Sequence, residues 1–169
     1  MNMKRTGIFF GTQTGNTEAA ANLIAAALGI VSSEVRDIAS SSPDDLAVYD
    51  ALILGTSTWG SGDLQDDWRA FLPSFDQIDF SAKTVALFGL GDQLSFGDWY
   101  LDGMGAIYDR LLERDARVVG PWPVDGYEYT ESQAVRGGLF VGLALDADNQ
   151  DEMTAERVQR WVGQIQYLL

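Results

Sequence analysis

Short apolar runs alternate along this chain with longer stretches in which apolar positions recur every three or four residues. Thr6 to Phe10, Ala51 to Leu54, Val85 to Phe88 and Phe140 to Leu145 have the length and composition of buried strands, and Glu34 to Ile38 reads as a weaker, outer one. Between them the longer period predicts helices over Thr17 to Leu28, Asp66 to Phe75, Tyr100 to Arg114 and Ala155 to Leu168. Met104, Ile107, Tyr108, Leu111 and Leu112 share one face of the third; Val158, Trp161, Val162, Ile165 and Leu168 share one face of the last. Thr154 is placed to cap that last helix, with Met153 and Val158 as a hydrophobic staple. Strands that alternate with helices predict an α/β fold of three layers, a doubly wound parallel five-stranded sheet. Val118-Val119 and Phe140 to Leu145 read as one edge strand, the fifth, interrupted by a loop of about twenty residues with turn signals at Pro121-Trp122-Pro123 and Asp125-Gly126-Tyr127. That excursion either covers the sheet edge or meets partners through Tyr127, Tyr129 and Arg136. No repeat or linker divides the chain, so residues 1–169 are expected to form a single domain.

Composition narrows the chemistry. With 46% apolar residues among 169 the chain can bury a core without staples. It contains no cysteine and no histidine, which removes disulfides, thiolate metal sites and histidine acid–base catalysis, so any chemistry is expected to belong to a cofactor and no metal site is expected. Near the start, Ile8-Phe9-Phe10 is too short a run for a signal core or a membrane span, and the protein is expected to be soluble and cytoplasmic. A net charge of −14, from 25 acidic and 11 basic residues, argues against nucleic acid and anionic membranes as partners. The acids either keep the domain dispersed or favour a basic protein partner. Their grouping favours the second: Asp63, Asp66, Asp67, Asp76 and Asp79 surround only Arg69, and Asp92, Asp98 and Asp102 have no base among them.

In a doubly wound sheet, ligands bind outside the carboxyl ends of the strands, and three such segments here are unusual in composition. Gly11-Thr12-Gln13-Thr14-Gly15-Asn16-Thr17 joins the first strand to an alanine-rich helix, so backbone N–H groups and three threonine hydroxyls converge at a helix N-terminus. It is either an anion site or a tight connection. No lysine or arginine lies between Arg5 and Arg36, so an anion there is held by neutral donors, which suits a phosphate that stays put and is not transferred. The second segment, Thr56 to Leu64, sets Trp59 between small residues. A tryptophan there either folds back into the core, its ordinary place when taken alone, or covers a flat ligand. The third, Gly89 to Trp99, puts Phe96 in a glycine-rich setting, and the two aromatic loops are able to sandwich a planar heterocycle whose phosphate sits on the first.

Taken in order, Gly11 to Thr17, Thr58-Trp59, and Gly91-Asp92 with an aromatic residue four positions beyond Asp92 resemble the FMN loops of the flavodoxins. The likeness runs from Lys4 to the carboxyl-terminal helix, and Val118 to Leu145, including Gly138 to Asp146, resembles the interrupted fifth strand of long-chain members. The resemblance implies strand order 2-1-3-4-5 and bound FMN. It implies that Thr12, Gln13, Thr14, Gly15, Asn16 and Thr17 hold the phosphate, that Trp59 covers the inner flavin face and Phe96 the outer, and that Thr58, Gly60, Ser61, Gly62, Leu90, Gly91, Asp92 and Trp99 complete the site. Phe96 stands where tyrosine is usual, keeping the stacking surface without the hydroxyl. Leu90 stands where threonine is common, leaving the main chain of Gly91 and Asp92 to meet the flavin edge. Gly60 matches the residue whose carbonyl turns toward the flavin on one-electron reduction.

The function so implied is that of a low-potential one-electron carrier, not an enzyme, shuttling FMN between semiquinone and hydroquinone. Its partners by this resemblance are basic surfaces of redox proteins such as a flavodoxin or ferredoxin reductase or nitrogenase reductase, which it meets as a monomer. The alternative is an FMN-dependent quinone or NAD(P)H oxidoreductase of the same fold; that needs a pocket open above the ring, and Phe96 argues against one. A phosphoacceptor receiver domain shares the sheet order. It needs an aspartate where Leu54-Gly55-Thr56 stands and a late lysine, and none follows Lys83.

Overall fold

In the computed structural model, which describes residues 5–169, the chain runs through β1 (Thr6–Phe10), α1 (Asn16–Leu28), β2 (Val35–Asp37), α2 (Pro43–Ala47) and β3 (Ala51–Trp59). It continues with β4 (Asp63–Leu64), α3 (Asp66–Phe71), β5 (Thr84–Leu90), α4 (Asp102–Glu113) and β6 (Arg117–Val119). The last part holds β7 (Trp122–Pro123), β8 (Val135–Arg136), β9 (Leu139–Phe140), β10 (Leu143–Leu145) and α5 (Thr154–Ile165). The main sheet has the order β10-β5-β3-β1-β2, with every pair along that path parallel. Counted by the five strand positions this is 2-1-3-4-5, as expected. The fifth position is filled twice: β6 pairs with Thr84 to Ala86 and β10 with Phe88 to Leu90, both parallel to β5. Between these halves the excursion folds into its own antiparallel sheet, β7-β9-β8.

Ile8, Phe9, Leu52 to Leu54 and Val85 to Phe88 are completely buried, which explains why these strands read as unbroken apolar runs: both faces of the sheet are covered. α1 and α5 pack together, while α4 packs on β3, β5 and β6. Among the described residues, no helix is long and apolar enough to cross a membrane.

The departures from expectation have local causes. β3 continues five residues beyond Leu54, because Thr56 and Ser57 still pair with Gly89 and Leu90 in the interior of the sheet. The helix predicted over Asp66 to Phe75 is α-helical only to Phe71 and then tightens into a 3-10 helix over Leu72–Gln77, at whose start Pro73 lacks the N–H an α-helix needs. α2 was too short to show a period. Its signal lies in its first residues: Pro43 opens it, and the Asp45 carboxylate accepts from the Ser42 N–H at 2.8 Å.

α4 starts at Asp102 because Leu101 adopts a left-handed conformation. Phe140 to Leu145 is not one strand. Gly142 passes so close to β5 that a Cβ there would lie 2.1 Å from the Leu87 carbonyl oxygen, and the chain changes sheets across it. Thr154 does not cap α5 either. It is the first residue inside the helix, Met153 takes the cap position, and the Thr154 Oγ1 is buried without a partner among the described residues.

Candidate functional site

β1, β3 and β5 are neighbours in the sheet, so parallel pairing alone gathers the three singled-out segments at one end. Together with the chain leaving β10 they enclose a cavity of about 350 Å³. Thr14, Asn16 and Thr17 supply its wall from the first segment. There the Thr12 Oγ1 accepts from the Gly15 N–H at 2.9 Å and Gly15 takes a left-handed φ of 93°, which folds the loop into the start of α1. Thr12, Gln13 and Gly15 shape this loop but do not line the cavity. Thr17 is completely buried, and its Oγ1 has no hydrogen-bond partner among the described residues. Leaving a buried hydroxyl unpaired is costly, so this atom marks where a polar ligand atom belongs.

The second segment is a hairpin and not a free loop. β3 runs out to Trp59 and β4 returns antiparallel, Thr58 opposite Leu64 and Trp59 opposite Asp63, around a tip where Gly60 and Gly62 both have positive φ. Trp59 is not core. It is 37% exposed at the cavity wall, and its Nε1 donates to Ser57 Oγ at 2.7 Å. Thr58 and Gly60 also line the cavity, whereas Ser61, Gly62 and Trp99 do not. Gly62 packs on α4 instead: a Cβ there would fall 2.7 Å from Asp102 Oδ2 and 3.3 Å from Trp99 Cδ1. The Gly103 N–H donates to Thr58 Oγ1 at 2.9 Å, tying the hairpin to the same helix. Burial raises the pKa of the Asp102 carboxyl above its ordinary value; the Gln133 N–H opposes this and the nearby Glu131 charge adds to it.

From the third segment Leu90, Gly91, Asp92 and Phe96 line the cavity, the Phe96 ring 47% exposed. The main chain of Gly91 is less free than expected, since its N–H donates to the Leu145 carbonyl at 3.3 Å and extends the ladder between β5 and β10. Asp92 Oδ1 accepts from the Leu94 and Ser95 N–H groups and from Asn149 Nδ2, at 3.1, 2.8 and 2.8 Å. Burial pushes this carboxyl up, but the hydrogen bonds from Ser95, Asn149 and Leu94 together outweigh it and hold the pKa below its ordinary value.

Residues the sequence reading did not assign to the site are Ser57, Ala147 and Asp148, all of which line the cavity. Ala147 and Asp148 leave the carboxyl end of the fifth strand, where the rule applied to the other strands finds them. Burial raises the Asp148 pKa, and the charges of Asp92 and Asp146 raise it further. Behind them Asp146, completely buried, holds the wall together. Its Oδ2 accepts from Gln93 N, Gln93 Nε2 and Asn149 Nδ2, and its Oδ1 from the Asp148 and Asn149 N–H groups, at 2.8 to 3.1 Å. Among the described residues, no lysine or arginine lines the cavity.

The chain matches the family model for flavodoxin over residues 8–161. It belongs to the flavodoxin family. It is 49% identical to flavodoxin 1 of Escherichia coli, over 96% of this chain and 93% of that one, and 48% identical to the flavodoxin of a Picosynechococcus species, with 96% of each chain covered. Among solved structures it resembles a Fusobacterium nucleatum flavodoxin bound to flavin mononucleotide, with a TM-score of 0.90 and 32% identity over 99% of each chain. It also resembles oxidised flavodoxin 1 of Bacillus cereus, with a TM-score of 0.71 and 28% identity over 97% of this chain and 99% of that one.

Proposed function

We propose that this flavodoxin is a low-potential one-electron carrier that holds FMN non-covalently in a single domain and turns over no substrate of its own. The observation that carries the reading is the Thr17 hydroxyl, buried and, among the described residues, unpartnered, at a cavity that no described cation lines and whose other walls bear two half-exposed aromatic rings. These residues fit FMN. Thr14, Asn16 and Thr17 would hold its phosphate with neutral donors, on a loop shaped by Thr12, Gln13 and Gly15. Trp59 and Phe96 would flank the flavin ring, with Ser57, Thr58, Gly60, Leu90, Gly91, Asp92, Ala147 and Asp148 around it and Ser61, Gly62 and Trp99 supporting the hairpin.

FMN supplies one-electron redox chemistry, here between its semiquinone and hydroquinone. The chain's own part is to bias it. Asp92 and Asp148 line the cavity with no cation among the described lining residues, so added negative charge is opposed. One carboxylate about 10 Å away, at an effective dielectric constant of about 20, contributes roughly 1.7 kcal/mol. That corresponds to about 70 mV more negative for one electron. The acidic surface directs the protein, as a cytoplasmic monomer, toward basic faces of redox proteins such as a flavodoxin or ferredoxin reductase or nitrogenase reductase, with association that slows as salt rises.

Titration of the apoprotein with FMN tests the reading. Flavin fluorescence should be quenched at one equivalent, and stepwise reduction of the complex should pass through a coloured intermediate; emission that stays unquenched with protein in excess defeats it. Gly60→Ala, which forces a side chain into a left-handed site 2.9 Å from Asp63 Oδ2, should lower the yield of that intermediate.

A further inference from the structure

A second cavity, of about 150 Å³, lies where the excursion folds over α5. Trp122, Pro123 and Gly126 form one wall, and Met153, Arg157 and Arg160 the other. Arg157 and Arg160, three positions apart on one helix face, each hold their guanidinium over an aromatic ring: the Arg157 Cζ is 4.2 Å from the centre of the Tyr127 ring, and the Arg160 Cζ is 5.2 Å from that of Trp122. A cation–π contact supplies no in-plane acceptor, so the guanidinium N–H groups still need hydrogen-bond partners. Arg157 is 95% buried, and its Nη1 has no hydrogen-bond partner among the described residues. Six other arginines have a carboxylate within 4.0 Å; among the described residues neither Arg157 nor Arg160 has one, in a chain of net charge −14. A buried guanidinium edge, a neighbouring arginine and an adjoining cavity together call for an acceptor that the described residues do not supply.

We propose that this cavity binds a compact oxyanion, a phosphate or carboxylate group, between Arg157 and Arg160. Asp125 and Glu156 line the same cavity and are exposed, so the lining is neutral in sum. The net charge of −14 repels polyanions, and a single small oxyanion binds in the millimolar range, on the order of 4 kcal/mol. The inference is independent of the redox reading, since no residue is shared between the two cavities.

The test is an amide and indole NMR titration of the FMN-loaded protein with sodium phosphate, against sodium chloride at matched ionic strength. The Trp122 indole N–H and the Gly126 amide should shift and saturate with phosphate. A parallel titration with sodium acetate sorts the ligand class: tighter saturation by phosphate assigns a phosphate site, tighter saturation by acetate a carboxylate site. Arg160→Gln, on the exposed side of the pair, should weaken saturation roughly fivefold or more while leaving the spectrum folded. Arg157→Gln should abolish it, but this side chain is buried, so the Arg160 variant carries the decision. Shifts that only track chloride, or saturation unchanged in Arg160→Gln, overturn the proposal. If the chain takes up no FMN, the same titration of the protein as isolated reads the Thr12 to Thr17 amides separately from Trp122 and Gly126, so the two proposals fail independently.

Discussion

Two corners of the same cavity are built on opposite principles. The first loop is closed by a local bond, the Thr12 hydroxyl accepting from Gly15 three residues on, while the Gly11 N–H anchors its start to the Gly55 carbonyl of β3. The corner around Asp146 is made of partners far apart in the chain, Gln93 and Asp146 being separated by 53 positions and Asp92 and Asn149 by 57. One leaves the Thr17 hydroxyl without a partner among the described residues; the other pairs every polar group it gathers around Asp146. A cofactor cradle needs both, a donor set left open for the guest and a wall that does not move when the guest is absent.

Removing the rigid side should have the largest effect. Asp146→Ala leaves the N–H groups of Gln93, Asp148 and Asn149 without their acceptor, and should lower unfolding free energy by about 3–5 kcal/mol in urea. A loss below ~1 kcal/mol would mean that the corner is not a structural unit. Thr17→Val acts in the opposite sense. Since the hydroxyl has no partner among the described residues, the substitution should leave apoprotein stability unchanged or slightly higher while weakening FMN about tenfold, near 1.4 kcal/mol. Equal affinity for both proteins would remove Thr17 from the cradle.

Thr12→Ala, which deletes one local acceptor at a partly exposed site, should cost about 0.5–1 kcal/mol of stability. The smallest effect belongs to Asp102, beside the hairpin. Its pKa is raised in the folded state, so the charged form opposes folding at neutral pH and this penalty is relieved as pH falls through the raised value. Asp102→Asn keeps an oxygen for the Gln133 N–H and should be slightly more stable at pH 7, with the advantage vanishing in acid. An advantage that grows on acidification would reverse the assignment.

The same division between local and distant governs what was legible. The order of elements and the parallel sheet follow from amino-acid patterns, because burial on both faces demands unbroken apolar runs; the first loop read as either an anion site or a tight connection until the other two loops were set beside it. The resemblance placed Trp59 and Phe96 at a ligand, and the structure sets both rings half-exposed on the cavity wall. It missed Ala147 and Asp148, and it did not see that Gly91 would give its N–H to Leu145.

Sequence alone therefore determined where the main parallel strands and the long helices lie and which loops carry unusual polarity, since these depend on neighbours within one or two turns. Only the tertiary structure decided where β3 stops, that Phe140 and Leu143 belong to different sheets, and which carboxylate fastens the wall. Those outcomes rest on contacts between residues fifty positions apart, such as the Leu87 carbonyl pressed on Gly142 and the Gln93 amide on Asp146, and no local pattern encodes a distance across the sheet.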